Sequence, residues 1–433
     1  MWLLSLKAFN PNRMMGGVMV AMTLLLFPAT SSHAAGIDII PSIELKQEYN
    51  DNIDFEADNP EEDFITTITP GIDLKRRTER LNTALSIHLS ALKYADNRNL
   101  DTVDQYYNGG ISYQLSPRMS VSGNAGYKID SRTDRDIETT GLTLTGDRKA
   151  QNYVLAWDYL LTEKTRISLS WSHGYEDIEK PDDEENRSHK IAFGITHDLS
   201  AFLSSTVGRM NISYMRYDSE DREYYQGIFL PVSGSTQEMQ VEQDSVYDIY
   251  QCTFGGSHQF SELLEFSLDT GLSYTLSDQD IEYVVNIDEA GLPWGSTSDE
   301  WDNFGFVGNA ALTWSGEYTR YTTTLSHDIR TASGENGTME TTALTVYGSH
   351  RFSDKLQALL HLGYYRNRSD RKTGSETDEY TLRIRPGLRY NFTRNFWVEA
   401  SYLYTTIDDL ENDDDRNRNL FYIRLKKNFN FEP

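Results

Sequence analysis

The chain has 433 residues, a formal net charge of −26, 27 tyrosines, 11 prolines and one cysteine. Such an acidic chain repels phosphate, which argues against nucleic acid as a partner, and the lone Cys252 excludes an intramolecular disulfide framework. Mean hydropathy is negative, and beyond the N-terminal segment no run approaches the roughly 20 apolar residues of a membrane helix.

Lys7 and Arg13 precede an apolar run from Met14 to Phe27 and a small-x-small site at Ser32-His33-Ala34. This pattern predicts a cleavable signal peptide over residues 1–34, with residues 35–433 exported. No Cys follows the cut, so no lipoprotein anchor is expected.

The mature chain then repeats one pattern: an alternating segment, a short turn, a second alternating segment and a longer polar loop. Ile43, Leu45 and Tyr49 share one face of the first segment, and Phe64, Ile68, Ile72 and Leu74 share one face of the second. A short turn leads to Leu81, Leu85, Ile87 and Leu89. The series continues through Ile111 and Tyr113, Val121 and Tyr127, Tyr153 to Trp157, Leu169 and Trp171, Ile191 and Phe193, and Ile212 and Tyr214. Tyr250 and Phe254, Leu268 and Leu272, Phe304 and Phe306, Tyr321, Leu325 and Ile329, Leu344, Leu360 and Leu362, Leu382 and Leu388, and Val398 and Tyr402 follow. Period-two alternation places each set on one face of a strand. The opposite positions, such as Ser86, Ser90, Ser122, Asn124, Ser168 and Ser170, are small or polar.

The last segment carries Phe421, Ile423, Leu425, Phe429 and Phe431 on one face, with Tyr422, Arg424 and Lys426 on the other. It looks like the closing strand of a bacterial outer-membrane barrel, which the barrel assembly machinery reads as its signal. The expected fold is therefore all-β: a transmembrane antiparallel up-and-down barrel of about eighteen strands, with short periplasmic turns and long acidic extracellular loops. Its expected place is the outer membrane of a Gram-negative cell, among lipid and lipopolysaccharide. A soluble propeller or solenoid would need an internal repeat.

Parity places Lys46, Lys75, Arg383, Arg385, Arg389, Arg424 and Lys426 inside, as a basic stripe around the seam where the last strand meets the first. Glu44, Glu48, Asp73 and Glu399 interrupt it. Arginine suits carboxylate and phosphate groups, so the stripe is a candidate path for an anionic solute or polymer. Any wide lumen also needs paired polar residues to hold its walls, and that alternative stands beside the first.

Two insertions, around Leu230–Thr236 and Leu292–Thr297, are expected as the tips of long hairpins above the mouth. The acidic segments 54–63, 176–185 and 408–415 lack the ordered Asp-x-Asp-x-Asp-Gly spacing of a calcium loop and are expected to be solvated. No His-Glu-x-x-His, Gly-x-Ser-x-Gly or Cys-x-x-Cys motif occurs. No catalytic residue, metal or cofactor is expected.

The first strand ends in Glu48-Tyr49-Asn50-Asp51-Asn52-Ile53. This Tyr-x-Asp-Asn-hydrophobic ending resembles the Putative beta-barrel porin 2 family, whose members accompany exopolysaccharide synthesis and export. The resemblance implies a conduit or accessory component for exopolysaccharide secretion, working beside a periplasmic polysaccharide-export protein on an anionic polysaccharide. A diffusion porin for small, anionic solutes is the alternative, and a structural or adhesive surface barrel is a third. A loop folded into the lumen would favour the porin.

Overall fold

The computed structural model describes residues 36–429 apart from 138, 140, 144–145, 180–182, 231–234, 288–289, 333–334, 370–377 and 412–413. The expected signal peptide and Phe431 lie outside the described residues.

Eighteen strands follow one another. They are β1 (Ile37–Asn50), β2 (Asp63–Arg77), β3 (Leu81–Tyr94), β4 (Thr102–Ser116), β5 (Met119–Asp130) and β6 (Asp147–Leu160). Next come β7 (Thr165–Glu179), β8 (Asp183–Asp198), β9 (Thr206–Leu230), β10 (Ser235–Gln259), β11 (Leu264–Ile287) and β12 (Ala290–Ser315). The last six are β13 (Thr319–Ala332), β14 (Glu335–Arg351), β15 (Leu356–Ser369), β16 (Asp378–Thr393), β17 (Phe396–Asp409) and β18 (Asp414–Asn428). Each pairs antiparallel with its sequence neighbours, and β1 pairs β18 from Ser42↔Asn428 to Asn50↔Leu420. The sheet is a closed barrel of 18 strands.

Closure of β1 on β18 leaves no free first or last strand edge along their paired length, as hydrocarbon demands. The alternation then sorts the side chains. Phe304 is 64% exposed and Leu155 is 56% exposed on the outside, where a band of apolar surface this continuous is stable only against lipid. The inward positions are polar or pack against loops.

The short-turn end, periplasmic in bacterial barrels, reuses one device. A Ser or Thr hydroxyl accepts backbone N–H groups two and three residues on. Ser261 does so for Leu263 and Leu264 at 3.2 Å each, Ser353 for Lys355 and Leu356 at 3.3 and 3.1 Å, and Thr162 for Lys164 and Thr165 at 3.2 and 3.0 Å. Such turns need no tertiary support. Before several of them stands the same short string: a ring, a polar residue, an apolar residue, then Ser or Thr, as in His258-Gln259-Phe260-Ser261, His350-Arg351-Phe352-Ser353 and Tyr390-Asn391-Phe392-Thr393. The histidines face outward and pair across the strands, His258 Nδ1 with Thr206 Oγ1 at 2.7 Å and His350 Nδ1 with Thr319 Oγ1 at 2.7 Å. They complete a ring of amphipathic side chains at the membrane interface.

Three expectations need correction. The acidic segment 176–185 is not a loop over its whole length, because β7 and β8 run on into it in register, Asp177 opposite Glu185. Leu292–Thr297 is not the tip of the second long hairpin but lies within β12, paired with β11; a register shift between Tyr283 and Val284 absorbs the extra residue. Ile329 does not face lipid. Pairing of β12 with β13 ends at Gly308↔His327, and above that point Ile329, 2% exposed, turns over Gly305, where any side chain would meet its Cδ1 at 2.1 Å.

Candidate functional site

The end of β1 organises the mouth of the barrel, and each residue of its motif has a partner there. Asp51 accepts the Asn419 N–H and side-chain amide at 2.6 and 2.8 Å, which fastens the seam above β18. Asn52 donates to the carbonyls of Glu56 and Asn417 at 2.7 and 3.0 Å and accepts the Glu56 N–H at 3.0 Å. The chain therefore bends inward instead of rising into solvent. Ile53 packs on Ile65 and Leu92. Phe55, at φ +60°, turns its ring into the barrel and is buried. At the start of β2, the Asp63 carboxylate accepts the N–H groups of Phe64, Ala95, Asp96 and Asn97 at 2.6 to 3.2 Å, tying down the β3–β4 connection beside it.

On this platform lies the loop between β5 and β6, residues 131–146. Its base is clamped by Arg148, whose guanidinium holds Asp130 at 2.9 and 3.0 Å, Glu176 at 3.2 Å, and Asp136. Its first residues are anchored on the seam: Arg132 donates to Glu48 at 2.8 Å and to Asp134 at 2.8 Å, and Asp134 pairs with Arg418 at 3.0 Å. Arg418 also lies over the Phe55 ring, 4.2 Å from its centroid. Ile137, 0% exposed, packs between Phe55 and Ile407.

The rest of the loop reaches the far wall. Leu142 packs on Met339 of β14, and Thr381 of β16 donates its hydroxyl to the Gly141 carbonyl. Gly141 has φ +81° and lies against Tyr365 of β15. In a ring of 18 strands, β14 and β15 stand nine places from β5 and β6 in either direction. The loop therefore reaches from its own side of the lumen to the opposite wall, touching the seam on the way.

Below the loop, three of the seven basic residues read from parity, Arg389, Arg424 and Lys426, are brought together through shared carboxylates, and a fourth, Lys46, has a carboxylate partner of its own. Glu399 accepts from Arg389 at 2.6 Å, Arg424 at 2.9 Å and the Tyr422 hydroxyl at 3.0 Å. Glu44 lies 3.7 Å from both Arg424 and Lys426, and Lys46 pairs with Glu48. The Trp397 ring lies beneath the Arg389 and Arg424 guanidinium groups at 4.5 and 5.2 Å. Arg383 is buried beside Arg418, opposite Thr405 in register, and Arg385 sits opposite His361. Lys75 stands apart, exposed near the periplasmic end opposite Asp38. Of the apolar positions expected to signal assembly, Phe421, Ile423 and Leu425 face outward on β18 and are exposed there, and Phe429, just beyond its end, is exposed too.

The stripe is therefore an interleaved lattice in which cations predominate. Arg132 and Arg418 extend it upward onto the loop. These two, with Asp134, Ile137 and Phe55, are the site residues that sequence reasoning missed; the inward parity of Arg418 on the closing strand was the available signal. Burial pushes the Asp134 carboxyl up, but the charges of Arg132 and Arg418 outweigh it and hold the group well below the usual carboxylate range. Burial likewise opposes the charge of Arg132, yet Asp134 and Glu48 keep it firmly protonated. Buried pairs of this kind are held by mutual need, because removing one partner leaves the other charged and desolvated.

The model of the family described as Putative beta-barrel porin 2 matches residues 302–430. That span runs from within β12 to the end of the closing strand. Among solved structures, the chain is similar to the ferric-catecholate import receptor Fiu of E. coli K12, at 9% identity and a TM-score of 0.46, over 92% of this chain and 82% of that one. It is also similar to the copper transporter OprC, at 10% identity and a TM-score of 0.47 over 90% and 80%. A third is the alcaligin receptor FauA of Bordetella pertussis, at 12% identity and a TM-score of 0.41 over 90% and 76%. No curated protein matches the sequence. The protein is an outer-membrane β-barrel whose residues 302–430 are similar to that family.

Proposed function

We propose that this barrel is a diffusion channel for small anionic solutes, which pass a constriction formed by the β5–β6 loop beside the basic wall. One observation carries the reading: the loop spans the lumen from β5 and β6 to Met339, Tyr365 and Thr381, fixed at base, middle and tip. A loop held at three points divides a wide bore into narrower paths, and the cation-rich wall lines one of them. Interleaved carboxylates keep the cations from binding an anion too tightly to release it, a requirement of conduction.

The family resemblance supports the second reading, a conduit for exopolysaccharide. That reading requires the loop to leave its three anchors so that a polymer fits.

Liposome swelling separates the two. Purified protein in vesicles should admit small carboxylates and phosphates faster than cations of the same size, and Arg389→Glu with Arg424→Glu should remove the preference. Equal entry of both charges contradicts the anionic channel. In cells, loss of surface polysaccharide with periplasmic accumulation on deleting the gene would favour the export conduit instead.

A further inference from the structure

Between the β1–β2 loop, the β3–β4 connection and the first residues of the β5–β6 loop lies a cavity of about 320 Å³, within the usual size range of small-molecule sites. It lies beside the upper end of the basic stripe, from which it takes Arg132 alone.

Its walls differ in kind. Ile53, Ile65 and Leu100 supply an apolar side, continuous with the buried packing of Leu92 and Tyr94. Asn99, Thr102 and the Tyr94 phenol supply a polar side, and no described residue takes a hydrogen bond from, or gives one to, these three side-chain groups. The charged lining is acidic: Asp54, Asp101, Asp134 and Asp147 against the single cation Arg132. Arg132 and Asp134 are engaged with each other and with the seam, and Asp101 is engaged with Lys93 at 2.7 Å.

An anionic ligand would be repelled here. A wholly apolar one would displace water from the Asn99, Thr102 and Tyr94 polar groups without replacing its hydrogen bonds. The chemistry that satisfies both sides is a ring with one C–H face and a rim of hydroxyl groups, donating to carboxylates and exchanging bonds with amide and hydroxyl groups. We propose that this vestibule binds a neutral pyranose sugar. Residues 131–134 line it, so the occupant touches the loop at the point where it is fastened to the seam.

The test is saturation-transfer NMR on the intact protein in a detergent without a sugar headgroup. Glucose, galactose and N-acetylglucosamine are the probes, with putrescine as the cationic competitor. At least one sugar should show transfer at millimolar concentration. Asn99→Leu combined with Thr102→Val should weaken it at least tenfold, while Arg394→Gln, on a periplasmic turn, should leave it unchanged. Heat-modifiable migration on gels establishes that each variant is a folded barrel. No transfer from any sugar at tens of millimolar, undiminished binding in the double variant, or displacement of sugar by low putrescine would each overturn the assignment. The measurement involves no transport, so its failure leaves the anionic-channel reading standing, and the reverse also holds.

Discussion

The carbonyl of Gly141 accepts a hydrogen bond from the hydroxyl of Thr381, 240 residues further along the chain and across the barrel. This bond ties the β5–β6 loop to β16, next to the strands that stand farthest from those that carry it. On the proposed reading it makes the lumen a divided space, and conduction depends on whether it holds.

Gly141 is the first place to break it. With φ +81° and Tyr365 Cβ 2.5 Å from where a Cβ would lie, Gly141→Val is strained by its backbone and obstructed by its neighbour. A left-handed β-branched residue costs about 1–3 kcal/mol before the clash is counted. The tip should lift while the barrel stays intact. Single-channel conductance should rise, with heat-modifiable migration unchanged.

Asp134 sets the response to acid. Its folded-state carboxyl is held below its ordinary value, so its stabilising contribution is present above the unfolded-state range and fades only as pH falls through the depressed value. Conductance should therefore be flat from pH 7 to pH 5 and change only in strong acid. Asp134→Asn should bring that change to neutral pH, since breaking a buried pair costs about 3–5 kcal/mol. A titration of conductance against pH on both proteins checks this.

Asn52 holds the platform beneath the loop through three hydrogen bonds. At about 1 kcal/mol for each bond, Asn52→Ala should release the β1–β2 loop without unfolding the barrel. Limited proteolysis should then cut within 53–61, where the parent protein resists.

Lipid-facing and lumen-facing sides of one strand can be tested by a pair of substitutions. Leu268 is exposed on the outside of β11, and Ser267 takes the opposite parity. Leu268→Arg should hinder assembly at a cost of about 2–4 kcal/mol near the bilayer midplane. Ser267→Arg should assemble normally, as read by folded protein in the outer-membrane fraction.

The barrel was legible because its determinants are local. Two-residue alternation, as in Phe421, Ile423 and Leu425, needs only neighbours in sequence, and closure follows from the demand that no strand edge meet lipid. Alternation misplaced Ile329, because parity assumes that both neighbouring strands continue and β12 leaves β13 above Gly308. It also placed seven basic residues inside without saying which would meet; the sharing of Glu399 by Arg389 and Arg424 depends on register across three strands. The β5–β6 loop was illegible. Ser131 to Ile137 reads as an ordinary charged loop, and its partners, from Glu48 to Arg418, are scattered through the chain. Nothing local marks Ile137 as the residue that will be wholly buried.

The most direct measurement is the single-channel conductance and reversal potential of the protein in planar bilayers, alongside a variant in which residues 135–143 are replaced by three glycines. The parent should show a small, anion-selective conductance. The shortened loop should raise the conductance severalfold while weakening the selectivity, because the wide bore then lets ions pass away from the basic wall. Equal conductance in the two proteins, or cation selectivity in the parent, would contradict the claim that this loop and this wall define the path.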